Sequence, residues 1–159
     1  MTAHVPISLE VNGEQVDALV LPRTNLADFL REHLQLTGTH VGCEHGVCGA
    51  CTVILNDKPV RSCLMFSVQA DGAEIRTVEG LADGEKLHPM QQAFMDNHGL
   101  QCGFCTPGFL MLAVAALENS PEMDEDQMRH VLSSNLCRCT GYQNILKAVQ
   151  AAAVNMRSM

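Results

Sequence analysis

At 159 residues the chain has room for one ordinary domain or two small ones. Its 18 acidic against 10 basic residues give a formal net charge of −8 with no basic run, which excludes nucleic acid and an anionic membrane as partners. Eight cysteines are present. The start, Met1-Thr2-Ala3-His4-Val5, has no basic opening, apolar run or twin arginine, so no secretory leader is read and a cytoplasmic location is expected. In a reducing compartment clustered thiols point to metal rather than to disulfides. The most apolar stretch, Phe109 to Leu117, is far short of the ~20 residues that cross a bilayer, and it reads as a buried helix.

Along the first half, Ile7, Leu9 and Val11 alternate with Ser8 and Glu10, as in a half-buried strand. Asn12-Gly13 is a two-residue hairpin signal, and Val16, Ala18 and Val20 continue the alternation until Pro22. Leu26, Phe29, Leu30 and Leu34 then share one helical face, with Thr24 or Asn25 as cap. Strands are expected at Thr52 to Leu55, Val60 to Leu64 and Glu74 to Val78, with a turn at Asn56-Asp57-Lys58-Pro59. A sheet with one helix packed across it is β-grasp-like.

Between the helix and the third strand lies Gly42-Cys43-Glu44-His45-Gly46-Val47-Cys48-Gly49-Ala50-Cys51. Its C-x4-C-x2-C spacing is that of plant-type 2Fe–2S ferredoxins. A loop wrapped round a cluster must aim backbone N–H groups at sulfur, and Gly42, Gly46 and Gly49 give it that freedom. Cys63 is the natural fourth ligand. Zinc, which also takes four thiolates, is the main rival. A Rieske-type site would need a second Cys/His pair, and no histidine follows Cys63 at that spacing. Glu44 and His45 read as loop-surface or partner-contact residues; His33 and His40 carry no pattern.

Strand patterning gives way to helix patterning between Leu81 and Lys86, where the domain boundary is placed: 1–80 and 81–159. Pro89 opens a helix carrying Met90, Phe94 and Met95 inward, closed by His98-Gly99. Thr106-Pro107 opens a second, and Asp124 with Gln127 forms a capping box for a third. Tyr142 or Gln143 opens a fourth with an apolar stripe of Ile145, Leu146, Val149, Ala153 and Met156. Short connections between these four predict a compact helical bundle, with the methionines as core filler.

Cys102 and Cys105 stand just before the second of these helices, and Cys137 and Cys139 just before the fourth. They make a second set of four thiols. Two helix N-termini near one anionic cluster would each contribute roughly 0.3–1 kcal/mol when exposed, and up to about 2 when partly buried. The C-x-C spacing is less usual for zinc ribbons and favours iron–sulfur.

The three blocks Gly42-Cys43-x4-Cys48-Gly49-Ala50-Cys51-Thr52, Gln101-Cys102-Gly103-Phe104-Cys105-Thr106-Pro107-Gly108 and Asn135-Leu136-Cys137-Arg138-Cys139-Thr140-Gly141-Tyr142 span nearly the whole chain. In this order they resemble the small iron–sulfur subunit of the molybdenum hydroxylases, the family of xanthine oxidase, aldehyde oxidoreductase and carbon monoxide dehydrogenase. The resemblance implies an α+β architecture: a β-grasp, plant-ferredoxin-like 2Fe–2S domain followed by an all-α four-helix-bundle 2Fe–2S domain. It implies that Gln101 and Cys139 contact the molybdopterin of a separate large subunit, in its cytosine dinucleotide form, while Cys139 also ligates iron. Electrons would pass through Cys102/Cys105/Cys137/Cys139 and then Cys43/Cys48/Cys51/Cys63 to a medium FAD subunit or a haem partner. The assembly would be a dimer of heterotrimers. This chain has no G-x-G-x-x-G nucleotide motif and no substrate site of its own. Carbon monoxide dehydrogenases of the family tend to read Asp-Thr-Ser-Gln where this chain has Glu44-His45-Gly46-Val47. That tilts the expected substrate toward an N-heteroaromatic, purine-like or aromatic acyl-CoA compound. A carbon monoxide or aldehyde dehydrogenase subunit and a free-standing two-cluster ferredoxin are the alternatives.

Overall fold

The computed structural model describes residues 3–157, so Met1 and Thr2 of the segment read for a leader lie outside the described residues. Strands β1 (Val5–Val11) and β2 (Glu14–Val20) pair antiparallel from Val5 with Val20 to Val11 with Glu14. Asn12 (φ 52°) and Gly13 (φ 83°) are the two left-handed residues that a tight hairpin of this twist requires. Ile7, Leu9 and Val11 turn into the core, as their alternation predicts.

Asn25 caps the next helix through its Oδ1, which accepts the Asp28 N–H at 2.8 Å. This helix, α1 (Leu26–Asp28), runs on as a π-helical turn, Phe29–His33, rather than as the regular helix expected. The Leu34 N–H reaches back five residues to the Phe29 carbonyl at 3.2 Å, which widens the turn. Leu26, Phe29 and Leu30 are buried against the sheet, while Arg31 Nη1 donates to the carbonyls of Thr37 and Thr39, each at 2.8 Å. The segment leading into the first cysteine loop is thereby tied to the helix.

Strands β3 (Thr52–Leu55), β4 (Lys58–Arg61) and β5 (Glu74–Arg76) complete a mixed five-stranded sheet in the order β2-β1-β5-β3-β4, with β1 and β5 parallel. Pro59 sits on the edge strand β4, where a missing N–H is tolerated. The strand expected from Val60 to Leu64 ends at Arg61, and Ser62–Leu64 coils into a 3-10 turn. Ser62 causes the change: its Oγ donates to the Cys51 carbonyl at 2.7 Å and folds Cys63 back toward Cys51. The strand expected through Val78 likewise stops at Arg76, followed by a 3-10 turn at Val78–Gly80.

The second half holds α2 (Pro89–Asp96), α3 (Thr106–Asn119), α4 (Glu125–Leu132) and α5 (Gln143–Met156). Asp124 and Gln127 form the expected reciprocal cap at 2.8 and 2.9 Å. Two hydrophobic cores result. One joins Ile7, Leu9, Phe29, Leu30, Val53 and Ile75; the other is helical but takes in Ile54 from the sheet. Adjacent residues of β3 therefore face different cores, and α3 lies on the sheet face opposite α1. Met95, expected inside, is 58% exposed. It follows Phe94 by one position, about 100° further round the helix, and α2 packs through Met90, Ala93 and Phe94. Among the described residues no helix is long and apolar enough to cross a membrane.

His88 caps α2: its Nδ1 accepts the Met90 N–H at 3.1 Å, and Gln91 Oε1 accepts the His88 N–H at 3.0 Å. Burial holds the imidazole below its ordinary pKa of 6.5, with Glu118 raising it and Arg76 lowering it. The folded protein thus favours neutral His88. Its contribution is fully present above about pH 6.5 and is lost as the pH falls below that value. Replacing His88 with Asn keeps a good cap without a titrating group. The thermal midpoint of His88→Asn should therefore fall less than that of the wild type between pH 7.5 and pH 5.5, as followed by circular dichroism.

Candidate metal centres

The first cysteine loop bends through left-handed residues at Glu44 (φ 56°), Gly46 (φ 85°) and Gly49 (φ 71°); Gly42 does not use that freedom. The turns aim backbone N–H groups inward. Cys43 Sγ accepts from the Cys48 N–H at 3.4 Å, and Cys48 Sγ from the Ala50 N–H at 3.5 Å. The N–H of Cys48, then that of His45, brings the Cys43 thiol down to about 6. Opposite this pair, burial and then the hydrogen bond to the Cys51 sulfur push the Cys63 thiol up to about 12. Glu44 and His45 are exposed, and His45 Nδ1 donates to the Cys43 carbonyl at 2.5 Å.

In the second set, the Sγ atoms of Cys139 and Cys102 lie 3.5 Å apart, and both residues are exposed. The hydrogen bond to Cys102 raises the Cys139 thiol. Cys105 and Cys137 form the inner pair and are half-buried. Burial, then the bond to the Cys137 sulfur, pushes Cys105 up to about 12. Burial also raises Cys137, but the Thr140 hydroxyl, the Thr140 N–H and the Cys139 N–H together hold it below its ordinary value. Cys105 is the N-cap of α3, and Gln101 is exposed beside Cys102.

Each set of four thiols thus divides into two facing pairs, Cys43/Cys48 with Cys51/Cys63 and Cys102/Cys139 with Cys105/Cys137. A tetrahedral zinc site needs four thiolates about one point, whereas two irons sharing four thiolates take two each. The donor set and its pairing fit a binuclear iron–sulfur cluster at each site.

A tight seam joins the two loops. The Leu136 N–H donates to the Cys48 carbonyl at 2.9 Å, and Asn135 Nδ2 to the Gly49 carbonyl at 3.2 Å. Asn135 is 1% exposed, and its Oδ1 would lie 2.1 Å from a Cβ at Gly49. Arg61 donates to the Ser134 carbonyl at 2.8 Å and to Thr52 Oγ1 at 2.5 Å. His40 Nδ1 donates to the Phe104 carbonyl at 2.8 Å, and its ring stacks on Phe104 with centroids 5.0 Å apart. Tyr142 closes the second loop: its hydroxyl accepts the Cys137 N–H and donates to the Asn135 carbonyl, each at 2.9 Å. On sequence alone His40 and Arg61 have no part in the site, and Asn135, Thr140 and Tyr142 stand only as members of a motif block or as a helix start, not as the groups that bond the loops. Asn135 and Gly49 are 86 positions apart, and no local pattern announces such a contact.

The chain matches known proteins over nearly its whole length. A family model described as 2Fe-2S iron-sulfur cluster binding domain matches residues 9–82, and one described as [2Fe-2S] binding domain matches residues 77–150. Caffeine dehydrogenase subunit gamma of Pseudomonas sp. (strain CBB1) is 56% identical over 156 residues, covering 96% of this chain and 93% of that protein. The chain belongs to the small iron–sulfur subunits of the molybdenum hydroxylases. Within this family, the nicotine 6-hydroxylase small subunit of Paenarthrobacter nicotinovorans is 54% identical over 146 residues, 92% of this chain and 88% of that one. The crystal structure of quinoline 2-oxidoreductase from Pseudomonas putida 86 superposes with a TM-score of 0.94 at 49% identity, over 98% of both chains. The α+β architecture of two 2Fe–2S-binding halves is therefore that of the family.

Gly108, in the first turn of α3, is what lets this small subunit close its seam. A Cβ there would stand 2.2 Å from the Gly49 carbonyl oxygen and 3.0 Å from the Ala50 Cα, both backbone. On helix propensity alone Gly108→Ala would stabilise by about 1 kcal/mol. The seam reverses the sign, and a loss on the order of 1–3 kcal/mol is expected. A lower thermal midpoint of the holoprotein bears this out; a higher one contradicts it.

Proposed function

We propose that this chain relays electrons within a molybdopterin-dependent hydroxylase, taking them up at the exposed Cys102/Cys139 end. The observation that carries the reading is an asymmetry. Cys102 and Cys139 open to solvent beside Gln101, while Cys105 and Cys137 are half-buried, with Cys137 one residue from the Leu136–Cys48 bond. Cys43, Cys48, Cys51 and Cys63 would hold one 2Fe–2S cluster and Cys102, Cys105, Cys137 and Cys139 the other. When bound, each cluster supplies a one-electron carrier.

The chain's own residues do the tuning and positioning. The N–H groups of Cys48 and Ala50 bond to sulfurs of the first loop, and the seam keeps the two loops at one spacing. Gln101 offers both an amide donor and an acceptor. In this reading it and Cys139 meet the pterin of a large subunit, in its cytosine dinucleotide form. A medium FAD subunit, or a cytochrome, takes the electrons from the first-loop end. The complex is a dimer of heterotrimers in the cytoplasm. The chain divides at 80/81; two cores and two family models that overlap between 77 and 82 support this boundary. Caffeine, nicotine and quinoline all contain N-heteroaromatic rings, and the proteins so named support an N-heteroaromatic, purine-like substrate.

Metal and acid-labile sulfide assays with electron paramagnetic resonance of the reduced protein test the reading. Iron and sulfide in equal amounts and two distinct 2Fe–2S signals are expected. Cys139→Ala should lose one signal and catalytic turnover while keeping the other signal. A colourless zinc protein would sink the proposal, and loss of both signals in Cys139→Ala would contradict the division into two domains.

A further inference from the structure

We propose that the Thr140 hydroxyl is a tuning donor that raises the reduction potential of the helical-half cluster by hydrogen bonding to the sulfur of Cys137. Thr140 Oγ1 lies 3.1 Å from Cys137 Sγ, and the Thr140 N–H points at the same sulfur at 3.5 Å. The direction of the shorter bond follows from its neighbours. Tyr142 N–H donates to Thr140 Oγ1 at 3.1 Å. That bond occupies a lone pair of the hydroxyl and leaves its proton for the sulfur. A thiolate bound to iron carries no proton, so the hydroxyl is the donor. The inference rests on Cys137 being an iron ligand, as proposed above.

The surrounding bonds fix this geometry. The Cys137 N–H donates to the Tyr142 hydroxyl, which in turn donates to the Asn135 carbonyl. The Tyr142 ring is held edge-on to Phe109, with centroids 6.0 Å apart at 74°, and its backbone takes the left-handed φ of 69°. Tyr142 thereby holds both ends of the loop while its N–H orients Thr140. The sulfurs of Cys43 and Cys48 receive backbone N–H groups, which side-chain substitution leaves in place. Cys137 takes a side-chain donor besides the Thr140 N–H, and the side-chain contribution can be removed.

The physical consequence has a definite sign. With a cluster held by these cysteines, one electron from the molybdenum-bearing subunit would take one Fe(III) to Fe(II) with no proton transferred, and the Thr140 proton would stay on its oxygen. The added negative charge strengthens an O–H···S bond, so the reduced state gains more than the oxidised one and the potential rises. The bias falls on the inner pair of thiolates, one residue from the Leu136 bond to the first loop. A partner docked on Cys102 and Cys139 would therefore find the favourable charge beyond the exposed sulfurs, on the side where electrons continue.

The experiment is a redox titration of the intact complex, following each 2Fe–2S signal by electron paramagnetic resonance. Thr140→Val should move the midpoint of one signal to lower potential and leave the other unchanged, while Thr140→Ser, which keeps the donor, should titrate near the wild type. Unchanged midpoints in Thr140→Val would overturn the proposal. So would an equal shift in Thr140→Ser, because the γ-methyl packing and not the hydroxyl would then set the potential. If the valine variant fails to assemble its cluster, wild-type complex in D2O decides. Pulsed resonance must find a strongly coupled exchangeable proton at the helical-half cluster that the serine variant retains, and its absence overturns the proposal. Cys137→Ala separates the two readings. Retention of both signals there would defeat the ligand assignment itself, whereas a null result with Thr140→Val alone leaves that assignment standing.

Discussion

The Leu136 N–H bond to the Cys48 carbonyl, 2.9 Å long, joins a peptide of one cysteine loop directly to a peptide of the other. Much else in the chain serves to make that approach possible. Gly108 removes the Cβ that would strike the Gly49 carbonyl, and Gly49 takes a left-handed conformation against the Asn135 side chain. Ile54 leaves the sheet core to join the helical one, which seats α3 on the sheet. A seam of this kind brings buried polar groups together, and they are costly unless bonded. Asn135 Nδ2, the Ser134 carbonyl and Thr52 Oγ1 all find partners across it or beside it.

Because the seam fixes the inner sides of both loops, the remaining freedom lies outside. Cys102 and Cys139 are exposed, with the exposed apolar side chains of Leu100, Phe104 and Leu136 in the same loops. At the first loop Val47, Leu64 and Phe66 are exposed. The chain thus has an apolar-flanked cysteine loop on either side of its seam. This suits a relay that docks one partner at each end and leaves substrate chemistry to them.

Much of this was legible in the sequence, for a physical reason. Thiolate ligands to a cluster come in short, fixed spacings, so C-x4-C-x2-C and the two later pairs announce themselves locally. The hairpin at Asn12-Gly13 and the Asp124–Gln127 cap are equally local, and both form as expected. What escaped is nonlocal or depends on one side chain's reach. The π-helical turn at Phe29–His33 follows from the five-residue bond to Leu34, which apolar periodicity does not encode. Ser62 ends β4 with both its N–H and its hydroxyl on the Cys51 carbonyl, a bond across 11 positions. His40 looked unpatterned because its partner, Phe104, lies 64 positions away. The apolar run Thr52 to Leu55 did carry a hint: a strand without alternation is buried on both faces. Read that way, it would have placed the helical half against the sheet.

On the proposed function, the two cysteine loops hold two clusters close together across one hydrogen-bonded seam. Magnetic interaction between two reduced clusters falls steeply with distance, so it reads that spacing directly. The decisive measurement is low-temperature electron paramagnetic resonance of the fully reduced wild-type complex. Both 2Fe–2S signals should show mutual splitting once the two clusters are reduced together. Two signals that merely add, with no splitting at any degree of reduction, would contradict it.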